Sequence, residues 1–175
     1  MLKHPENYPY QVIKERIEGI SIEGTRACIA MLYATGCRVS ELLKIEAENV
    51  RKETDRQGRE IVRVYAPVLK KREPDDRFIA ISLKDEGWLA EIVFNYAFGK
   101  HGQLFQKSRA TIWRWCKEFD NEINPHGWRK IRASHLVTVF GYNGHQLKAF
   151  FNWARLSSSE PYVKMNLEDI TPVFK

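Results

Sequence analysis

Two arginines, a histidine, a lysine pair, a tryptophan and a tyrosine are the side chains of this sequence whose types and spacing can carry chemistry. Arg38 follows Gly36, which reads as a helix stop, and precedes a Ser40-Glu41 helix start. Its guanidinium is expected at a helix entrance, with Glu41 near enough to orient it. His126 and Arg129 lie three residues apart at the start of another helix, so both face one way. Tyr162 closes the run Ser157-Ser158-Ser159-Glu160-Pro161-Tyr162. A serine cap, a glutamate and a first-turn proline put that tyrosine near a helix N-terminus. Lys70 and Lys71 stand where a strand meets its turn, and Trp153 ends an apolar helix nine residues before Tyr162. Forked guanidiniums bind oxyanions, a lysine can protonate a leaving oxygen, and a tyrosine close to positive charge can act as a nucleophile. Taken one at a time, each has a plainer reading: an Arg38–Glu41 surface pair, a chance H-x-x-R, solvated turn lysines, a core tryptophan, an exposed tyrosine.

The charge distribution gives these residues a setting. The chain has 175 residues and a net charge of +6, and 43% of it is apolar. That length suits one domain of about 100–200 residues with a real core. Residues 35–72 hold 10 basic and 6 acidic side chains, and residues 100–132 hold 8 and 3. Focused positive charge fits a polyanion, whose counterions each neutralised phosphate releases, although an acidic partner protein fits as well. The longest mostly apolar stretch, 27–36, falls far short of the roughly 18–20 residues of a membrane span. The N-terminus does not read as a secretory signal, and a cytoplasmic protein is expected. Cys28, Cys37 and Cys116 are odd in number and lack C-x-x-C spacing, so free, buried thiols are expected rather than disulfides or a zinc knuckle.

The elements that must position the candidates follow from hydrophobic periodicity. Val12, Ile13, Ile17 and Ile20 recur at helical spacing, and 22–34 forms a second helix with Ile29, Leu32 and Tyr33 inward. A short helix over 39–44 comes next. The period then changes: Val62, Val64, Ala66 and Val68 alternate with more polar neighbours, and Phe78, Ala80 and Ser82 alternate with Ile79 and Ile81 across a polar turn at 72–76. An earlier strand over 50–54, joined through Asp55-Arg56-Gln57-Gly58, completes a small three-stranded antiparallel sheet. Beyond Lys84 the pattern is helical. Trp88, Leu89, Ile92, Val93 and Tyr96 form one stripe, and Ile112, Trp113, Cys116 and Phe119 form another. Asn124-Pro125 sets up a helix over 127–140, and a further helix runs through Phe150 and Trp153. The expected fold class is α+β, mainly α-helical, in a single domain over residues 1–175.

Order and spacing add what the single motifs lack. The segment Leu32-Tyr-Ala-Thr-Gly-Cys-Arg-Val-Ser-Glu-Leu-Leu43 resembles the first arginine box of the tyrosine recombinases, the phage-integrase family. His126-Gly-Trp-Arg129, followed by Ala133-Ser134, resembles the second box. A His or Trp nine residues before the nucleophilic tyrosine is matched by Trp153 and Tyr162, and the lysine-bearing hairpin between the boxes fits too. The resemblance covers about residues 11–165. Two departures stand out: Lys130 occupies a place where many members have His, and Phe150-Phe-Asn precedes Trp153 where many have Leu-Gly-His. The hairpin turn is also longer than usual.

The resemblance implies the catalytic-domain fold and a site-specific DNA recombinase, or integrase, that cleaves and rejoins double-stranded DNA through a 3′-phosphotyrosyl intermediate without metal or ATP. Type IB topoisomerase-like relaxation and a non-catalytic DNA-binding fragment are the alternatives. Arg38 and Arg129 would clamp two non-bridging phosphate oxygens, where fixed, forked donors match the developing charge. Tyr162 would attack as a phenolate favoured by the arginines and the helix N-terminus, against an ordinary pKa of about 10. His126 would take the phenol proton or bond the phosphate, and Trp153 would give its indole N–H. Lys71, which lies nearer the turn, or Lys70 would protonate the leaving 5′ oxygen. No cofactor, metal or small-molecule substrate is expected, and the sequence offers no H-E-x-x-H, cysteine pair or acidic cluster for Mg²⁺. The resemblance further implies a tetramer on DNA, a monomer when free, and an N-terminal core-binding domain that is expected to be absent from this chain. The mixed motif style points to an archaeal or viral mobile element. The tail after Tyr162 carries Met165, Leu167, Ile170, Val173 and Phe174, which can dock on a neighbour or on the domain's own core.

Overall fold

Residues Ala27 to Thr35 are all buried, so the helix that carries them is wrapped on every side rather than amphipathic. In the computed structural model, which describes residues 4–69 and 75–164, this is α2 (Glu23–Thr35). It follows α1 (Tyr10–Glu18) and precedes the short α3 (Val39–Leu42). The sheet strands β1 (Val50–Thr54), β2 (Glu60–Val68) and β3 (Asp75–Ser82) come next. The α-helices α4 (Gly87–Ala97), α5 (Arg109–Phe119), α6 (Pro125–Thr138) and α7 (Gly144–Phe151) follow. α2 packs against α1, α4, α5 and α6, and the sheet closes over α3 and α4. No helix among the described residues is long and apolar enough to cross a membrane.

α2 stops at Gly36, whose φ of +60° lies in the left-handed region and whose N–H caps Leu32 O. A Cβ at this position would stand 2.6 Å from Cε1 of Phe151. Glycine is thus required twice over, by the backbone turn and by the ring packed on it. The strands form the expected antiparallel meander β1-β2-β3, with Val64 opposite both Val50 and Ile79. Alternation sends Val62, Val64, Ala66, Ile79 and Ile81 into the core and Phe78 into solvent. Asn124 caps α6 through its side chain, with Pro125 in the first turn. Asn143 and Gln146 close a reciprocal cap on α7.

Several expectations are corrected. α1 ends at Glu18, so Ile20 packs on the core from outside it, and Val12 is exposed. α3 ends at Leu42 and α6 at Thr138, each earlier than periodicity predicts. α5 buries Ile112 and Cys116 but leaves Trp113 43% exposed, while Trp115 packs on the core in its place. The strip at 112, 116 and 119 is narrow, and position 113 lies one step round from it. α7 ends at Phe151, where Asn152 turns left-handed at φ +55°, so Trp153 stands beyond the helix rather than on it. All three cysteines are free and buried.

A buried polar network that periodicity does not announce joins the helices. Arg132 and Glu86 form a two-pronged ion pair at 2.7 and 2.8 Å, and Tyr10 donates to Glu86 at 3.0 Å while accepting from the Trp88 indole at 2.9 Å. His135 bonds Tyr8 O through Nε2 and Tyr33 Oη through Nδ1, both at 2.6 Å. A carbonyl only accepts, so Nε2 carries the proton and Nδ1 takes the tyrosine hydrogen, which makes the ring neutral.

Candidate active site

The ends of α2 and α7 come together with the starts of α3 and α6. They frame a cleft of about 160 Å³ lined by Arg38, Glu41, Arg77, Arg129, Phe151 and Trp153. Arg38 occupies the N-cap position of α3, as its Gly36 and Ser40-Glu41 neighbours predict. Buried Glu41 accepts the Arg38 main-chain N–H at 2.8 Å and lies 3.9 Å from its guanidinium. The same carboxylate also accepts the Leu69 N–H at 3.3 Å. One acid therefore anchors the first arginine and the end of the strand segment that leads to the lysines. Lys70 and Lys71 themselves lie outside the described residues.

Arg129 reaches the cleft from α6. Its Nη1 donates to Gly36 O and its Nη2 to Phe151 O, each at 3.2 Å, and its guanidinium stands 5.0 Å from the Phe151 ring centre and 6.0 Å from that of Trp153. Burial, followed by repulsion from Arg77 and Arg38, pulls its pKa down to about 10, which leaves it charged at neutral pH. His126 is exposed on the otherwise buried first turn of α6, three residues before Arg129.

Three aromatic rings stack beside the arginines. Phe151 and Trp153 lie 4.8 Å apart and 20° from parallel, and Trp153 and Tyr162 lie 6.2 Å apart and 17° from parallel. Tyr162 belongs to the helical turn at 160–164, which follows a 3₁₀ helix, Leu156–Ser159. Its placement near a helix start agrees with the Ser-Glu-Pro signal. Its ionisation does not agree: burial raises the phenol pKa, and the opposing pull of Arg129 is the smaller effect. Burial thus outweighs the arginine field that the sequence suggests. Ser159 is buried against α7, where a Cβ on Gly144 would meet its Oγ at 2.7 Å.

The structure also brings in Arg77, which the sequence reading passes over. It is 5% exposed. Its Nε donates to Phe150 O at 2.9 Å and its Nη2 to Thr35 O at 2.6 Å. The period-2 pattern that turns Ile79 and Ile81 inward also turns residue 77 inward, and that is the signal the sequence holds for it. Among the described residues, no three His, Cys, Asp or Glu side chains cluster as a metal-binding set.

No protein-family model matches the sequence. Tyrosine recombinase XerD of Pasteurella multocida (strain Pm70) is 27% identical over 161 residues, a match covering 82% of this chain and 50% of that relative. The chain therefore spans half the length of this curated relative. Among solved structures, XerA recombinase superposes with a TM-score of 0.68 at 18% identity, over 96% of this chain and 63% of its own. The catalytic domain of bacteriophage HP1 integrase gives 0.62 at 16%, over 98% and 92%. XerH bound to its difH substrate, in a pre-cleavage complex, gives 0.63 at 18%, over 93% and 50%. The structural likeness is one of fold, and it agrees with the expected mainly helical α+β architecture and its three-stranded sheet.

Proposed function

We propose that this chain is a tyrosine recombinase catalytic domain that breaks and rejoins double-stranded DNA site-specifically through a 3′-phosphotyrosyl intermediate. The observation that carries the reading is the cleft itself. Arg38 and Arg129, brought from α3 and α6, open on one space beside the stacked Trp153 and Tyr162. The XerD match and the DNA-bound state of XerH support DNA as the partner.

In the proposed reaction Tyr162 Oη attacks the scissile phosphorus, the bond to the 5′ oxygen breaks, and the 3′ phosphate remains on the tyrosine. Charge gathers on two non-bridging oxygens, where the Arg38 and Arg129 guanidiniums donate. Before substrate arrives Glu41 holds the Arg38 main chain and lies 3.9 Å from its guanidinium, and two main-chain carbonyls hold the Arg129 guanidinium, so little reorganisation is needed. The leaving oxygen takes a proton from Lys71 or Lys70, and His126 accepts the tyrosine proton or bonds the phosphate. A second 5′-hydroxyl then attacks the phosphotyrosyl bond and releases Tyr162, so strands are exchanged without an external energy source. Residues 1–175 act in this as one catalytic domain, assembled as a tetramer on DNA.

The test is relaxation of supercoiled plasmid in EDTA with SDS trapping of protein-linked DNA, comparing the wild type with Tyr162→Phe. Covalent adduct in the wild type and none in the variant is expected. Adduct retained by Tyr162→Phe would remove this residue as the nucleophile. Strand exchange between two duplexes separates recombination from simple relaxation.

A further inference from the structure

Arg77 and Arg129 grip the same two helix ends one residue apart. Arg77 donates to Thr35 O and Phe150 O, and Arg129 donates to Gly36 O and Phe151 O. Thr35 closes α2 and Phe151 closes α7. The last carbonyls of a helix lack partners within it and carry the negative end of its dipole, which suits a guanidinium. The two side chains therefore run as parallel staples between α2 and α7, one from the sheet and one from α6.

The electrostatics are unusual for a strut. Arg77 forms no ion pair among the described residues, and the carboxylate nearest in influence is Glu41, already engaged by Arg38. Its charge is buried, and its guanidinium lies 5.5 and 5.7 Å from the Phe150 and Phe151 ring centres. The cost of burial and repulsion from Arg38 both act against its charge. A neutral side chain would avoid that cost, yet the fork of an arginine joins two carbonyls that a lysine's single nitrogen cannot reach in the same way. An anion in the cleft would offset the combined charge of all three arginines.

We propose that Arg77 is a positioning residue of the phosphate clamp: it fixes the spacing between the ends of α2 and α7 on which Arg129 is mounted, and so aims Arg129 at the bound phosphate. Arg77 acts through Arg129 and does not touch the reacting atoms. This deepens the recombinase reading and rests on it for the identity of the phosphate as a DNA phosphodiester.

Two measurements test it. The first uses inorganic phosphate alone, compared with chloride at equal ionic strength. Phosphate should raise the melting temperature of the wild type, and Arg77→Lys and Arg77→Met should lose at least half of that rise. The second is the rate of SDS-trapped adduct formation on supercoiled plasmid. Arg77→Lys should slow it about tenfold or more while half-saturating DNA stays within about threefold, which marks a loss in the transition state rather than in binding. Adding Arg77→Lys to Arg129→Lys should then cost little more than Arg129→Lys alone, because one acts through the other. Independent, multiplying losses, or an unchanged phosphate response, would reduce Arg77 to a structural strut. If Arg77→Met fails to fold, the Arg77→Lys measurements decide the matter. If the wild type forms no adduct, the recombinase reading falls, and the phosphate response still decides the role of Arg77.

Discussion

The ring of Tyr162 lies 17° from parallel to the indole of Trp153, with centres 6.2 Å apart. The proposed nucleophile is thus stacked on the residue nine positions before it, and that contact is part of the burial that lifts its pKa. Stacking positions the phenol, and burial keeps it protonated.

The first prediction follows from that tension. With the phenol above its ordinary value of about 10, the phenolate fraction rises close to tenfold per pH unit throughout the neutral and mildly alkaline range. Adduct formation on plasmid DNA should climb across about pH 7 to 9 without levelling. A plateau inside that window would show that attack does not draw on the free phenolate.

Arg38 and Arg129 should be separable by stability although both belong to the proposed phosphate clamp. Each change to alanine should slow adduct formation by about 10²–10³, the usual cost of removing one preorganised donor. Arg129→Ala also strips partners from Gly36 O and Phe151 O and should cost about 1–3 kcal/mol of stability. Arg38 is about one-third exposed, its carboxylate 3.9 Å away, and Arg38→Ala should change stability by under about 1 kcal/mol. Urea unfolding of the two variants side by side makes the comparison.

Lys70→Ala and Lys71→Ala distinguish the two candidates for the general acid. One of them should slow cleavage about a hundredfold or more. That loss alone should be repaired by a substrate whose leaving group is a 5′ thiolate, which departs without a proton. Two equal, unrepaired losses would place the acid elsewhere.

His135 should make the fold acid-sensitive. Burial lowers its pKa from 6.5 to about 4, so between these values the unfolded chain binds a proton that the folded one refuses. The stabilisation is complete above about pH 6.5 and fades as pH falls towards 4, for a total of roughly 3 kcal/mol. Urea midpoints at pH 7 and 4.5 should therefore differ more for the wild type than for His135→Gln, which has no charge to gain. Equal pH dependence in both proteins would contradict the assignment of a neutral, doubly bonded imidazole.

Local pattern alone makes much of the fold and the cleft readable. The alternation of Val62, Val64 and Ala66 with its echo at Ile79 and Ile81 carries the sheet, and Gly36 and Asn124-Pro125 mark helix ends that the structure keeps. Arg38 and Arg129 are legible because their neighbours are turn and cap residues. Arg77 is not, because a charge in a strand is ordinarily turned outward, and its partners are carbonyls 42 and 73 residues away. The Glu86–Arg132 pair spans 46 residues and is hidden for the same reason. The rise in the Tyr162 pKa comes from burial, a product of tertiary packing that composition and periodicity do not encode.

The close approach of Gly144 and Ser159 changes how the tyrosine is tethered. α7 meets the Tyr162 segment at both ends, through Gly144 against Ser159 at its start and through Trp153 against Tyr162 just past its finish. A segment clasped at two points behaves as a latch rather than as a loose tail. Releasing only the aromatic clasp leaves a pivot at Gly144, and bulk added there would pry the pivot open. The reach of the proposed nucleophile is then governed by a glycine outside the proposed chemistry.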